Sequence, residues 1–197
     1  MCGRVIQSSA PIRYAIVDGM NVRDSRLHNY PPRWNAAPSQ DLLVIRRNPP
    51  TGEVSLEPLR WGLIPYWCQD PKGGRKPINA KCETVRNLPT FRDAYRRRRC
   101  IVPVDGFFEW KAIKGQKAKQ PYAIAMKDGR PFGIGGLWEN RKEPTSGEWI
   151  GTRCVARSCA PNKPRQLSLS PNEQRANKHL AGQDGGRRTI CLRCMVN

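Results

Sequence analysis

Cys100-Ile101-Val102-Pro103-Val104-Asp105-Gly106-Phe107-Phe108-Glu109-Trp110-Lys111 decides the fold class. Two short apolar, β-branched and aromatic runs, 100–104 and 107–111, flank an Asp-Gly pair. That is the signature of strands separated by a turn. Similar runs lie outward on both sides: 42–47 and 54–60 upstream, 121–127 and 132–138 downstream. Pro-Pro-Thr-Gly and Gly-Gly punctuate them, and the spacing predicts a mostly antiparallel β domain. Polar segments 112–120 and 139–147 read as hairpin loops. One segment has helical period: Leu88, Phe91, Ala94 and Tyr95 share a face behind an Asn87 cap, with Arg92 and Arg96 to Arg99 on the other side and at the exit. The class is therefore α+β with a few short helices. Trp61, Trp110 and Trp138 are expected to build an aromatic core, and Trp67 to be a surface platform.

At 197 residues the chain can bury one good core. The boundary is expected near residue 150: one folded unit over 1–150, then an irregular tail over 151–197. All six tryptophans lie at or before Trp149, whereas four of the eight cysteines follow it in Arg-, Ser-, Pro- and Gly-rich sequence. Arg153-Cys154-Val155-Ala156-Arg157 reads as a poor strand. Loss of an original ending, for instance by a frameshift, would produce such a tail. Cys154, Cys159, Cys191 and Cys194 have zinc-like spacing in one pair only, so no metal or other cofactor is expected.

The net charge of +19, from 35 basic against 16 acidic residues, calls for a polyanionic partner, and nucleic acid is the first candidate. No apolar run approaches a membrane span, and the first twenty residues lack a signal-peptide layout. A cytoplasmic, nucleoid-associated monomer with reduced thiols is the expectation.

Four segments carry chemistry. In Met1-Cys2-Gly3-Arg4 the small second residue permits removal of Met1, leaving a thiol and a free amine on Cys2. Ordinary values of about 7.7–8.0 for that amine and about 8.5 for the thiol leave useful nucleophilic fractions near neutral pH. Such a 1,2-aminothiol condenses with an aldehyde to an imine and closes to a thiazolidine. Asn79-Ala80-Lys81-Cys82-Glu83-Thr84 offers an amide that can donate to an oxyanion or a sugar hydroxyl. Glu109, set between aromatics, becomes a proton shuttle if it faces inward, and a solvated carboxylate if it faces out. Arg60-Trp61-Gly62-Leu63-Ile64-Pro65-Tyr66-Trp67 puts stiff aromatics beside basic residues, as single-strand binding requires. Arg96 to Arg99 read equally as a solvated helix end or a phosphate clamp.

These segments, together with Trp34-Asn35-Ala36-Ala37-Pro38 and the run from Phe91 to Trp110, resemble in order the SOS-response-associated peptidase family over residues 1 to about 150. The resemblance implies that family's fold, recognition of abasic sites in single-stranded DNA, and capture of the open sugar aldehyde as a covalent thiazolidine crosslink. It also implies a protease-like removal of what precedes Cys2. Carried over by position, Cys2 is the nucleophile, Asn79 the sugar-contacting amide and Glu109 the acid/base. Arg4, Arg33, Pro38, Trp67, Lys81 and Arg86 line the DNA groove. The family's site histidine has no counterpart, since Gln166-Leu167-Ser168 stands where it is expected and His179 lacks the context. Two alternatives remain at this stage: a catalytically impaired single-strand-binding relic, or a thiol peptidase acting on proteins, which the charge disfavours.

Overall fold

Of the 197 residues, the computed structural model describes 3–15, 30–48, 50–68, 76–142, 147 and 149–157. The predicted runs become strands: β3 (Asp41–Arg47), β4 (Val54–Trp61), β6 (Arg99–Val104), β7 (Gly106–Ala112), β8 (Lys119–Ala125) and β9 (Phe132–Lys142). Four more were not predicted: β1 (Val5–Gln7), β2 (Arg33–Ala36), β5 (Asn79–Lys81) and β10 (Trp149–Arg157). Helix α1 is the short Pro11–Ala15, and α2 is Pro89–Arg97.

The strands form two sheets, one ordered β2-β1-β7-β8 and one ordered β4-β3-β6-β9-β10-β5. The larger sheet closes on itself, because β10 also pairs with β4. Along one edge β10 meets β4 in parallel at Thr152 opposite Arg60, then β5 in parallel at Val155 opposite Asn79. Its other edge is antiparallel to β9 along its length, from Trp149 opposite Lys142 to Val155 opposite Gly136. The reading of 153–157 as a poor strand is thus corrected, and the ordered fold runs past residue 150. Arg153 is fully buried, and its guanidinium lies 4.8 Å from the Trp61 ring centroid. Residues 158–197, with His179, Cys159, Cys191 and Cys194, lie outside the described residues.

Inside the ring, Leu42, Val44, Leu59, Trp61, Val102, Val104, Ile134 and Trp138 form one apolar cluster with Val5 and Ala36 of the smaller sheet. Burial of this kind is the main favourable term in folding. Trp110 is not part of it: at 41% exposure it stands on the outer face of β7. A second cluster seats Phe91 and Ala94 of α2 on Leu63, Ala80, Val85 and Leu137. The N-cap is Leu88 rather than Asn87 and makes no side-chain hydrogen bond; Pro89 opens the helix with its φ already helical and no N–H to satisfy. The segment expected to be a loop from 139 is strand through Lys142, and Glu139 and Arg141 are buried there.

The corner between β6 and β7 is locked by Asp105. Its Oδ2 accepts from Ser8 N (2.7 Å), Ser9 N (2.8 Å) and Tyr14 Oη (2.6 Å), and its Oδ1 from Ser9 Oγ (2.5 Å). Burial pushes this carboxyl upward, but the donors outweigh it and hold it below its usual value. Tyr14, desolvated and donating to Asp105, is held well above the usual phenol value.

Candidate nucleic-acid interface and active site

The small sheet carries three of the predicted groups. Val5 pairs with Phe107 and Ile6 with Gly106, and Phe108 N donates to Arg4 O at 3.0 Å. Arg4 is therefore held alongside β7, one residue short of Glu109. Phe107 packs on the core, and side chains alternate along a strand. Glu109 thus shares the core-facing side with Phe107, opposite Tyr122, and is half-buried. Phe108 and Trp110 take the outer face, with ring centroids 6.4 Å apart. Arg33, opposite Gln7 on β2, is half-buried, and its Nε is buried with no hydrogen-bond partner among the described residues.

The ring carries the others. Asn79, Ala80 and Lys81 form the strand β5, and the chain turns from Cys82 onward. Trp61 Nε1 donates to Ile78 O at 2.9 Å, fixing the residue before Asn79. Asn79 Oδ1 is buried without a hydrogen-bond partner among the described residues. A buried amide oxygen without a donor costs roughly 1–3 kcal/mol. Lys81, opposite Arg157, is exposed. Pro38 lies in the turn from β2 to β3, where Ser39 holds a φ of 73° and its N–H donates to Trp61 O at 2.7 Å. Trp67 is 51% exposed beside Tyr66, as a stacking platform requires. Arg86 is exposed, with Nε donating to Tyr95 Oη at 2.9 Å and its guanidinium 5.5 Å from the Tyr95 ring centroid.

Arg96, Arg97 and Arg99 are exposed, but Arg98 is not a phosphate clamp. It turns inward, donating to buried Glu139 Oε1 at 2.8 Å, and lies 5.6 Å from the Tyr66 ring centroid. Sequence reading missed this pair; the signal was a lone acid continuing the period-2 pattern of β9. The thiol of Cys100 is pushed up to about 12 by burial, against the opposing pull of Arg153 and Arg46, and is inert at neutral pH. Cys2 lies outside the described residues. No group of three or more metal-ligating side chains occurs among the described residues.

Comparison with known proteins supplies the lineage. The protein YoqW of Bacillus subtilis, named an abasic site processing protein, is 43% identical over 115 residues, which cover 58% of this chain and 50% of that protein. The chain thus spans about half the length of such Bacillus relatives. YedK of Escherichia coli, likewise named, is 30% identical over 181 residues, covering 89% of this chain and 78% of YedK. A phage-related protein of Bordetella bronchiseptica has a crystal structure matching at TM-score 0.61 with 30% identity, over 79% of this chain and 68% of that one. A Bacteroides thetaiotaomicron structure matches in fold at TM-score 0.67 with 24% identity, over 79% of this chain and 67% of that one. The family model for SOS response associated peptidase (SRAP) matches residues 1–167. On that match, which runs through every strand described above, the chain belongs to the SRAP family.

Proposed function

We propose that the protein binds single-stranded DNA at abasic sites and captures the open sugar through Cys2, in line with the names of its relatives. The observation that carries this reading is the register of β1 on β7. Arg4 is held beside Phe108, and Glu109 is the next residue of β7, on the same side as Phe107. Cys2 stands two positions before Arg4 in the sequence, and this reading pairs its amine and thiol with Glu109.

The chemistry follows in two balanced steps. The α-amine of Cys2 adds to the sugar aldehyde, and Glu109 protonates the departing hydroxyl, which leaves as water to give the imine. The Cys2 thiol then adds to the imine carbon while the nitrogen takes up the proton, closing a thiazolidine. Asn79 orients the opened sugar through its amide. Arg4, Arg33, Lys81 and Arg86 neutralise phosphates on either side, and Trp67 stacks on an unpaired base or fills the gap. Removal of Met1, whether by a general aminopeptidase or by the chain's own peptidase-like site, precedes all of this.

The test is direct. Purified protein is incubated with an oligonucleotide carrying one abasic site, then denatured and separated. A shifted band is expected with the native chain and none with Cys2→Ala. An intact mass that retains Met1, or a shifted band that survives Cys2→Ala, would overturn the reading.

A further inference from the structure

The β7–β8 hairpin is poorly explained by folding alone. From Trp110 to Pro121 every residue but Ile113 is exposed, so this end of the ribbon buries almost no apolar surface. Two-stranded ribbons of that kind are marginal in water. Yet the ladder stays paired out to Ala112 opposite Lys119, and the turn is specified, with Gln116 N donating to Ile113 O at 3.1 Å and Gly115 at a φ of 83°. Glycine adopts that φ at least penalty.

The ribbon's charge is one-sided. Lys111, Lys114, Lys117 and Lys119 fall between Trp110 and Lys127, a stretch with no Asp or Glu. None of the four makes an ion pair with a described residue. Three arginines around α2 differ: Arg86 is bonded to Tyr95, Arg92 is paired with Asp93 at 3.7 Å, and Arg98 is committed to Glu139. The hairpin also continues directly from Glu109. Lys111 is two residues on, on the same face, and at about 3.4 Å per residue the Gly115 tip lies about 20 Å along the ladder.

We propose that this hairpin is a basic arm that docks the phosphate backbone of the single strand as it runs out from the Glu109 site. The partner is set by charge complementarity: beyond Trp110 the ribbon presents exposed ammonium groups on both faces and at its turn, with no acid among them, and these match phosphates rather than an apolar protein surface. The proposal rests on the functional reading above for the strand's position, and its test is independent of crosslinking.

The test uses the full chain carrying Cys2→Ala and an undamaged oligothymidylate, so that only reversible binding is read. Lys114→Gln, Lys117→Gln and Lys119→Gln are combined and affinity is followed across a salt series. Three lost phosphate contacts lower the slope of log K against log[salt] by about 2, at about 0.7 per contact on single strands. The matching triple Lys→Arg variant keeps the original slope. An unchanged slope in the Gln variant overturns the arm. So does a Gln variant whose only loss is binding to vesicles containing phosphatidylserine, which would make the ribbon a lipid contact.

Discussion

The side-chain amide of Gln7 stands in the β3–β6 ladder where Pro103 has no N–H to give. Those strands pair at Ile45 opposite Ile101 and Arg46 opposite Cys100, and the same register would bring Leu43 to Pro103. Gln7, fully buried, reaches in from β1: Nε2 donates to Leu43 O (2.9 Å) and Pro103 O (2.7 Å), and Oε1 accepts from Leu43 N at 2.8 Å. One side chain thus satisfies three main-chain groups and fastens the N-terminal strand to the ring.

Gln7→Leu would strand those three groups. We expect a loss of about 3 kcal/mol, at roughly 1 kcal/mol or more for each, and a melting temperature lower by roughly 6–12 °C. In a Pro103→Val background, where a main-chain donor returns, the same substitution should cost clearly less. A double-mutant cycle by thermal denaturation reads the coupling, and strict additivity would show that the amide does not replace the missing donor.

Asp105 predicts an acid limb. Its folded carboxyl is held low, so its contribution is complete above the ordinary value of about 3.9 and disappears as pH falls through the lower folded value. Glu139 runs the other way. Burial raises its carboxyl despite Arg98, so its proton uptake favours the folded state as pH drops toward the ordinary range. Urea midpoints measured from neutral pH down to about 3 should fall more steeply for native protein than for Asp105→Asn. For Glu139→Gln the fall should begin sooner, without the opposing gain.

Gly106→Ala should damage both fold and site. A Cβ there would lie 2.7 Å from Ile124 O, a backbone atom of the neighbouring strand that cannot turn aside. We expect about 1–3 kcal/mol of destabilisation, as for other overpacked positions, and slower abasic-site crosslinking because β7 carries Glu109. Full crosslinking rate in a destabilised variant would mean that Glu109 is not held by this ladder.

Glu109→Gln should slow crosslink formation by roughly 10²–10⁴-fold, the usual contribution of a positioned proton donor, while affinity for undamaged single strands stays the same. Cys2→Ser should leave an imine that only borohydride traps. A stable adduct in Cys2→Ser without reduction would exclude the ring.

The β-branched and aromatic runs between 42 and 138 were legible because half-buried strands repeat every two residues. Strands β1, β2 and β5 have three or four residues each, too few for a period to show. β10 escaped because its buried positions include Arg153, whose charge hid a core role realised on the face of Trp61. Glu139 and Arg141 hid the end of β9 in the same way. For the site, Glu109's inward face required a register that only tertiary pairing supplies, and the open amide oxygen of Asn79 could not be inferred from residue type.

Parallel contact of β10 with β4 joins Thr152 to Arg60, about 90 residues apart in the chain. The ring therefore has no complete wall until β10 has left the ribosome. Long loops of this kind close slowly, and the earlier strands wait with bare edges. A nascent chain would thus keep the edge of β4 uncovered until residue 157 emerges, so closure of the ring is among the last steps of its folding.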